Sequence, residues 1–239
     1  MIDLRIGATL LVVATLTLPA CQSNTGESEG SAGSDPSDTL SVEAGDIAAP
    51  AIVGEIATAE LGATAPEFVL ADTSGTTHRL SDFRGNVVVL EWVNHGCPFV
   101  KKHYDNSDNM QTLQERYTDE GIVWLSICSS APGKQGHMDN DGWAQSIQDR
   151  STHQTAVLVD ETGVVGKAFG ARTTPHMYVI DAEGTLIYHG ALDSNGSPDA
   201  STIEGADNYV ADTLDAMLAG NEVEPFTHKP YGCSVKYAN

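Results

Sequence analysis

Positive charge is what this chain has least of. Twelve Lys and Arg stand against 33 Asp and Glu in 239 residues, a formal net charge of −21. So few cations cannot neutralise a phosphate backbone, which excludes nucleic acid as a partner. Cysteine is scarcer still: Cys21, Cys97, Cys128 and Cys233, with no Cys-x-x-Cys among them. The spacing that builds zinc ribbons is absent, and neither a metal nor another cofactor is expected. The opening apolar run, Ile6–Leu18, is too short to span a bilayer comfortably.

That opening has another use. Arg5, the run to Leu18, and then Pro19-Ala20-Cys21 form an export-signal layout. Leu18, Ala20 and Cys21 resemble a bacterial lipoprotein lipobox. The resemblance implies a signal peptide over residues 1–20, cleavage before Cys21, and lipid on its sulfur. The mature protein is then expected in the bacterial cell envelope, lipid-anchored to the membrane through Cys21 and facing the periplasm or the cell exterior. A plain secretory signal is the alternative, and both place the protein where disulfides are permitted. With Cys21 lipidated, three cysteines remain, so one is free or pairs between chains. Residues 21–52 carry Ser, Gly, Asp, Glu and Ala with almost no large apolar side chain. Such a segment cannot bury enough surface to offset its ordering entropy and is predicted to be a flexible acidic tether.

The rest is organised around Val87–Val100. Val87-Val88-Val89-Leu90 is short, apolar and β-branched, which predicts a buried strand. Pro98 suits a first helical position, because its missing N–H has no partner to lose there. Cys97 is then at or beside the N-cap, facing unpaired backbone N–H groups and the positive end of the helix dipole. Lys101 and Lys102 add positive charge one turn on. Each of these favours the thiolate, the nucleophilic form. The alternative is a buried cysteine acting as a small apolar residue.

In order, the spacing predicts a turn at Asp72–Gly75, a helical turn over Leu80–Gly85, and the Cys97 strand. A helix follows to Tyr104, with a break at Asp105–Asp108. A second helix carries Met110, Leu113 and Tyr117 to Gly121. Next come a strand at Ile122–Ile127 ending in Cys128, a helix near Trp143–Arg150, a strand at Thr155–Asp160, and a helical turn before Gly170. A hairpin about Ala182-Glu183-Gly184 then precedes a last helix with Val210, Leu214 and Leu218 on one stripe. The tail 221–239 reads as irregular. This order predicts an α/β fold: a central mixed sheet with helices on both faces, a parallel half followed by an antiparallel hairpin.

Ala65-Pro66-x-Phe68-x-Leu70, Gly75, Leu80 and Phe83-Arg84-Gly85 precede Trp92…Cys97-Pro98, and Thr174-Pro175 precedes Met177–Asp181. Together these resemble thioredoxin-like redoxins, the superfamily of peroxiredoxins and periplasmic thiol–disulfide oxidoreductases. The resemblance covers residues 53–220. Asn94–Tyr104, Ser129–Gly133 and Lys229–Tyr237 are similar to its peroxiredoxin-like branch, the alkyl hydroperoxide reductase/thiol-specific antioxidant type. It implies a thioredoxin-like fold, Cys97 as nucleophile, and a cis Thr174–Pro175 bond facing it, with Asn94, Trp92 and Pro98 shaping the site. The chain departs from the superfamily in three places. Val100 stands where a Cys-x-x-Cys would place its second thiol. Leu90 and Asn94 stand where a peroxiredoxin has its Pro and Thr. No arginine is marked by motif, Arg172 and Arg150 being candidates by position.

A thiolate that attacks a peroxide or a disulfide needs a second thiol for release. Cys233 is the first choice, on a Pro/Gly-bracketed tail that Tyr231 and Tyr237 could anchor; it would act within one chain or across a homodimer. Cys128, at the end of the neighbouring strand, is the other candidate. His95 and His103 are either tuners of Cys97 or surface residues. Glu91 is either a buried proton carrier or a surface carboxylate. The expectation is an exported thiol-dependent peroxidase drawing on an external thiol reductant. The alternatives are a thiol–disulfide oxidoreductase acting on exported proteins, and a non-enzymatic metal-delivery or binding module on the same scaffold.

Overall fold

The computed structural model describes residues 57–238; the signal segment, Cys21 and the tether lie outside that range. Strands β1 (Val69–Ala71) and β2 (Thr77–Arg79) form a hairpin, followed by a 3₁₀ turn at Leu80–Phe83. Then come β3 (Val88–Trp92), α1 (Pro98–Tyr104), α2 (Asn109–Asp119), β4 (Val123–Cys128), α3 (Asn140–Arg150) and β5 (Ala156–Val159). They are followed by α4 (Val164–Ala168), β6 (Thr173–Thr174), β7 (His176–Ile180), β8 (Leu186–Gly190) and α5 (Tyr209–Leu218). The tail adds β9 (Phe226–Thr227) and β10 (Cys233–Ser234).

Six strands form one sheet in the order β5-β4-β3-β7-β8-β9. β3, β4 and β5 are parallel, joined by helical crossovers; β7 returns antiparallel to β3, and β8 pairs antiparallel to β7. This is the mixed α/β, thioredoxin-like architecture the sequence pointed to. Alternation along β3 sends its side chains to two cores. Val89 and Val93 face α1, α2, α3 and α5 through Tyr104, Met110, Tyr117, Trp143 and Leu214. Val88, Leu90 and Trp92 face α4 and the N-terminal hairpin region through Phe68, Leu80, Val165 and Phe169. Both faces of β3 are covered, which is why its apolar run is continuous.

Two expectations are corrected. Leu218 does not join the buried stripe: α5 docks through Val210 and Leu214, and Leu218 in its last turn is 43% exposed. The tail is not irregular. β9 pairs with the free edge of β8, and β10 pairs antiparallel with β6. Strands of two residues carry no readable period, so the pattern was silent there.

Candidate active site

Cys97 closes a tight loop between β3 and α1. Its N–H donates to Asn94 O (2.9 Å), and the Gly96 N–H donates to Asn94 Oδ1 (2.8 Å). Cys97 is extended (φ −83°, ψ 128°) and caps α1, with Pro98 as the first helical residue. Asn94 Nδ2 donates to Gln135 O (3.1 Å), and Gln135 Nε2 donates to Gly96 O (3.0 Å). The loop after β4 is thereby stapled over the Cys97 loop. Gly136 makes this possible: its φ is +84°, and a Cβ there would overlap the Asn94 amide. Trp92 lies beneath, fully buried, donating from Nε1 to Ser129 Oγ (3.0 Å), which donates to Asp160 Oδ2 (2.6 Å). Asp160 in turn accepts from the Gly166 N–H at the start of α4 (2.9 Å).

The Thr174–Pro175 bond is cis, and the Cys97 thiol donates to Thr174 O at 3.1 Å. β10 lies on the other side of that segment, pairing Cys233 with Thr174 and Ser234 with Thr173. Gly232 allows this approach, since a Cβ there would overlap Thr174 O. Cys97, Cys128 and Cys233 are all thiols in this structure. Burial pushes the Cys97 thiol up, but hydrogen bonds from the Cys233 thiol and from the Val100 and Cys233 N–H groups outweigh it, and the net shift is downward. Burial and the neighbouring Cys97 push Cys233 the other way, to about 11. The two thiols are thus shifted in opposite directions, Cys97 down and Cys233 up. Cys128 donates instead to Gly136 O (3.5 Å), and burial raises its pKa.

Two tyrosines pin the tail that carries Cys233. Tyr231 Oη donates to Asp193 Oδ1 (2.6 Å) and stands 3.2 Å from His103 Nε2. Asn109 Nδ2 donates to His103 Nδ1 (2.9 Å), so the neutral ring carries its proton on Nε2 and donates it to Tyr231. Lys102 Nζ completes the latch by donating to Asp193 Oδ2 (3.2 Å) and Asn195 O (2.8 Å). At the other end Tyr237 Oη donates to Ala171 O (2.7 Å), and its ring lies against Gly163 and Gly166. Between them the Val235 N–H donates to Arg172 O (3.1 Å), and Lys236 O accepts from the Ala131 N–H (2.9 Å).

Several sequence expectations change here. His95 and His103 are buried rather than on the surface, and burial holds both neutral, at about 3 and about 4. Lys102 is buried against Asp193 and spends its charge on the tail latch, not on Cys97. Arg150 pairs with Asp105 (2.8 Å), and Arg172 lines a cavity beside Tyr237; neither contacts Cys97. Glu91 is fully buried, with donors from Tyr104 (2.8 Å), Trp124 (3.0 Å), Ser126 (3.2 Å) and Gln114 (3.3 Å). Burial still raises its pKa. Asp193, Gln135 and Asn109 had no signal in the sequence, because each belongs to a loop or helix start and works through a partner far along the chain.

Among the described residues no cluster of three or more His, Cys, Asp or Glu could hold a metal, and no helix is long and apolar enough to cross a membrane. A curated relative, the thiol-disulfide oxidoreductase ResA of Geobacillus thermodenitrificans, is 26% identical over 126 residues, 53% of this chain and 66% of that protein. Two solved structures superpose with TM-scores of 0.61. One is a hypothetical protein of Sinorhizobium meliloti 1021, 25% identical, covering 77% of this chain and 97% of that one. The other is an uncharacterized conserved protein of Geobacillus kaustophilus, 28% identical, covering 77% and 96%. Residues 61–189, more than half of the chain, match the model of the AhpC/TSA family, and the chain belongs to that family.

Proposed function

We propose that the protein is a thiol-dependent oxidoreductase in which Cys97 attacks the oxidant and Cys233 of the same chain resolves it. One observation carries this reading: Cys233 pairs in register with Thr174, the residue whose carbonyl accepts the Cys97 thiol at 3.1 Å, so the two cysteines meet across one backbone segment. The Cys233 thiol also helps hold the Cys97 pKa below its usual value.

The preferred oxidant is a small peroxide. Cys97 is 0% exposed, and β10 occupies the open edge of β6 beside it. An extended protein segment would have to displace that strand to reach the sulfur, whereas a peroxide is a few atoms across. Attack of the thiolate on the peroxide O–O bond gives a sulfenic acid and releases water or an alcohol; the Cys233 thiolate then displaces hydroxide, which leaves as water. A thiol–disulfide exchange role on exported proteins is the second reading. It is favoured by the cis Thr174–Pro175 bond and by the relative's name, and it requires the tail to lift. The envelope location and the lipid on Cys21 complete the proposal.

Reduced protein is treated with one equivalent of hydrogen peroxide, and its disulfides are mapped by mass spectrometry. The reading expects a Cys97–Cys233 link within one chain, and over-oxidised Cys97 in Cys233→Ser. A Cys97–Cys128 link, or no reaction at all, sinks it. Faster oxidation by a protein disulfide than by peroxide would transfer the preference to the second reading.

A further inference from the structure

Three of the few cations in this acidic chain gather around β10. Lys167 and Arg172, with His189 and Tyr237, line an open cavity of about 410 Å³ walled by Phe169 and Leu186, and no lining residue is acidic. Lys236 follows Cys233 by three residues, and its Nζ donates to Ser234 Oγ (3.0 Å). Among the described residues none of the three forms an ion pair, as is also true of Arg79, Arg84, Lys101, Lys134 and Lys229. Arg172 sits on the ladder itself: it accepts from Val235, and Thr174, two residues on, is the partner of Cys233. Two residues along a strand is about 7 Å. The cavity thus borders the tail that carries Cys233, with Tyr237, four residues beyond that thiol, on its wall.

The sulfurs of a Cys97–Cys233 disulfide are not equivalent. Cys97 is buried and Cys233 is half-buried. Exchange is faster at the accessible sulfur and when the departing thiol is the more acidic one. Both conditions direct attack to Cys233, with Cys97 leaving as thiolate. The net charge of −21 repels anions from the molecule as a whole. A local surplus of positive charge beside the attacked sulfur reverses that preference at one place.

We propose that the electron donor is a small thiol bearing a carboxylate, that Lys167, Arg172 and Lys236 hold its negative end, and that it attacks Cys233. The inference rests on the Cys97–Cys233 disulfide proposed above. The donor thiolate forms a bond to the Cys233 sulfur as the Cys97–Cys233 bond breaks, and the electron pair leaves on Cys97. A second donor thiol then attacks the donor sulfur of the mixed disulfide. It releases the donor disulfide and returns Cys233 as a thiol, which takes a proton from solution. Two donor thiols are oxidised and one protein disulfide is reduced.

The test uses the oxidised full chain, its disulfide verified by thiol titration. Reduction rates are compared at equal thiolate concentration and low salt for cysteamine, 2-mercaptoethanol, 3-mercaptopropionate and mercaptosuccinate. The two carboxylates are expected to outrun 2-mercaptoethanol by roughly tenfold, and the advantage should shrink near 1 M salt, where the screening length is about 3 Å. The triple variant Lys167→Gln, Arg172→Gln, Lys236→Gln should lose the advantage while keeping its rate with 2-mercaptoethanol. Acid quenching part-way should find the donor on Cys233. The inference is overturned if cysteamine is fastest, if the triple variant keeps the preference, or if the donor is found on Cys97. Reduction by 2-mercaptoethanol that restores both thiols shows that the disulfide exists, so those failures would strike this inference alone. Absence of any such disulfide would remove the underlying reading instead.

Discussion

Replacing Tyr231 with Phe removes one oxygen from the latch and leaves the ring in place. That oxygen donates to Asp193 at 2.6 Å and accepts from His103 at 3.2 Å. A hydrogen bond to an ionised group contributes about 1.5–3 kcal/mol. Asp193 keeps Lys102 and the Asn195 N–H, so its charge is not abandoned. The buried His103 N–H loses its nearest acceptor, Asp193 Oδ2 being 3.8 Å away. A loss of about 2 kcal/mol in tail docking follows, and at about 1.4 kcal/mol per tenfold the undocked population should rise roughly 30-fold. Cys97 is fully buried beneath this tail, so iodoacetamide reaches it through that population. Alkylation of reduced Tyr231→Phe, followed by mass spectrometry, should therefore be roughly 30-fold faster at Cys97 than in the parent. The open state also lacks the Cys233 donor that supports the thiolate, which works against the acceleration and makes this an upper figure. Equal rates in the two proteins, with the pH midpoint of alkylation also unchanged, would refute the reasoning, because the probe would then reach Cys97 without any movement of the tail.

Three further outcomes follow from individual contacts. In Cys233→Ala the Cys97 thiol loses the Cys233 thiol donor while burial and the position-233 N–H remain, so the pH midpoint of its alkylation should move upward; an unchanged midpoint would mean the Cys233 side chain does not support the thiolate. Burial raises the pKa of Glu91, so the folded state holds a proton that the unfolded state has already lost. The stabilisation this gives is complete below about pH 4.5 and fades as pH rises toward the folded pKa. Glu91→Gln does not titrate, so its stability relative to the parent should climb with pH, at up to about 1.4 kcal/mol per unit; parallel urea-denaturation profiles across pH would contradict this. Gly136→Ala places a Cβ on the Asn94 amide in a left-handed backbone, and should lower stability by about 1–3 kcal/mol. Thermal melts measure the loss, and Cys97 alkylation should change with it.

The sheet and the Cys97 loop were legible because each is written in consecutive residues. Val87–Leu90 announces a strand, Pro98 a helix start, and Met110, Leu113 and Tyr117 a helical face, and all three features are present. Tyr231 and Tyr237 also stood out as residues that could anchor the Cys233 tail, and their hydroxyls bond to Asp193 and Ala171. What stayed hidden depends on pairs distant in sequence. His103 and Lys102 looked like solvent-facing or Cys97-directed cations, because nothing in α1 reveals that Asp193, some 90 residues on, neutralises one and that burial silences the other. The pairing of β10 with β6 was hidden for a different reason: two residues make a ladder only when a partner edge is already in place.

Under the proposed pairing, Val100 is the reason the second thiol must come from the tail. It is buried in the core that also contains Cys97, Tyr104 and Met110. A cysteine there would come from the same helix as the nucleophile and would be held permanently at one geometry. Here the second thiol comes from the opposite side, across the Thr174–Pro175 segment, on a strand with its own two anchors. The latch at Tyr231 ends on Lys102 and His103, in the same helix that Cys97 caps. The two sulfurs are therefore registered through one rigid element, although 136 positions separate them in sequence. Under the proposed pairing, that arrangement would let Cys233 be withdrawn without unfolding the helix that Cys97 caps, which a dithiol built within a single helix cannot do. Withdrawal would both uncover Cys97 and remove a neighbour that lowers its pKa, so access and reactivity oppose each other. A probe of access alone and a probe of thiolate alone should consequently respond with opposite sign to any change that loosens the tail.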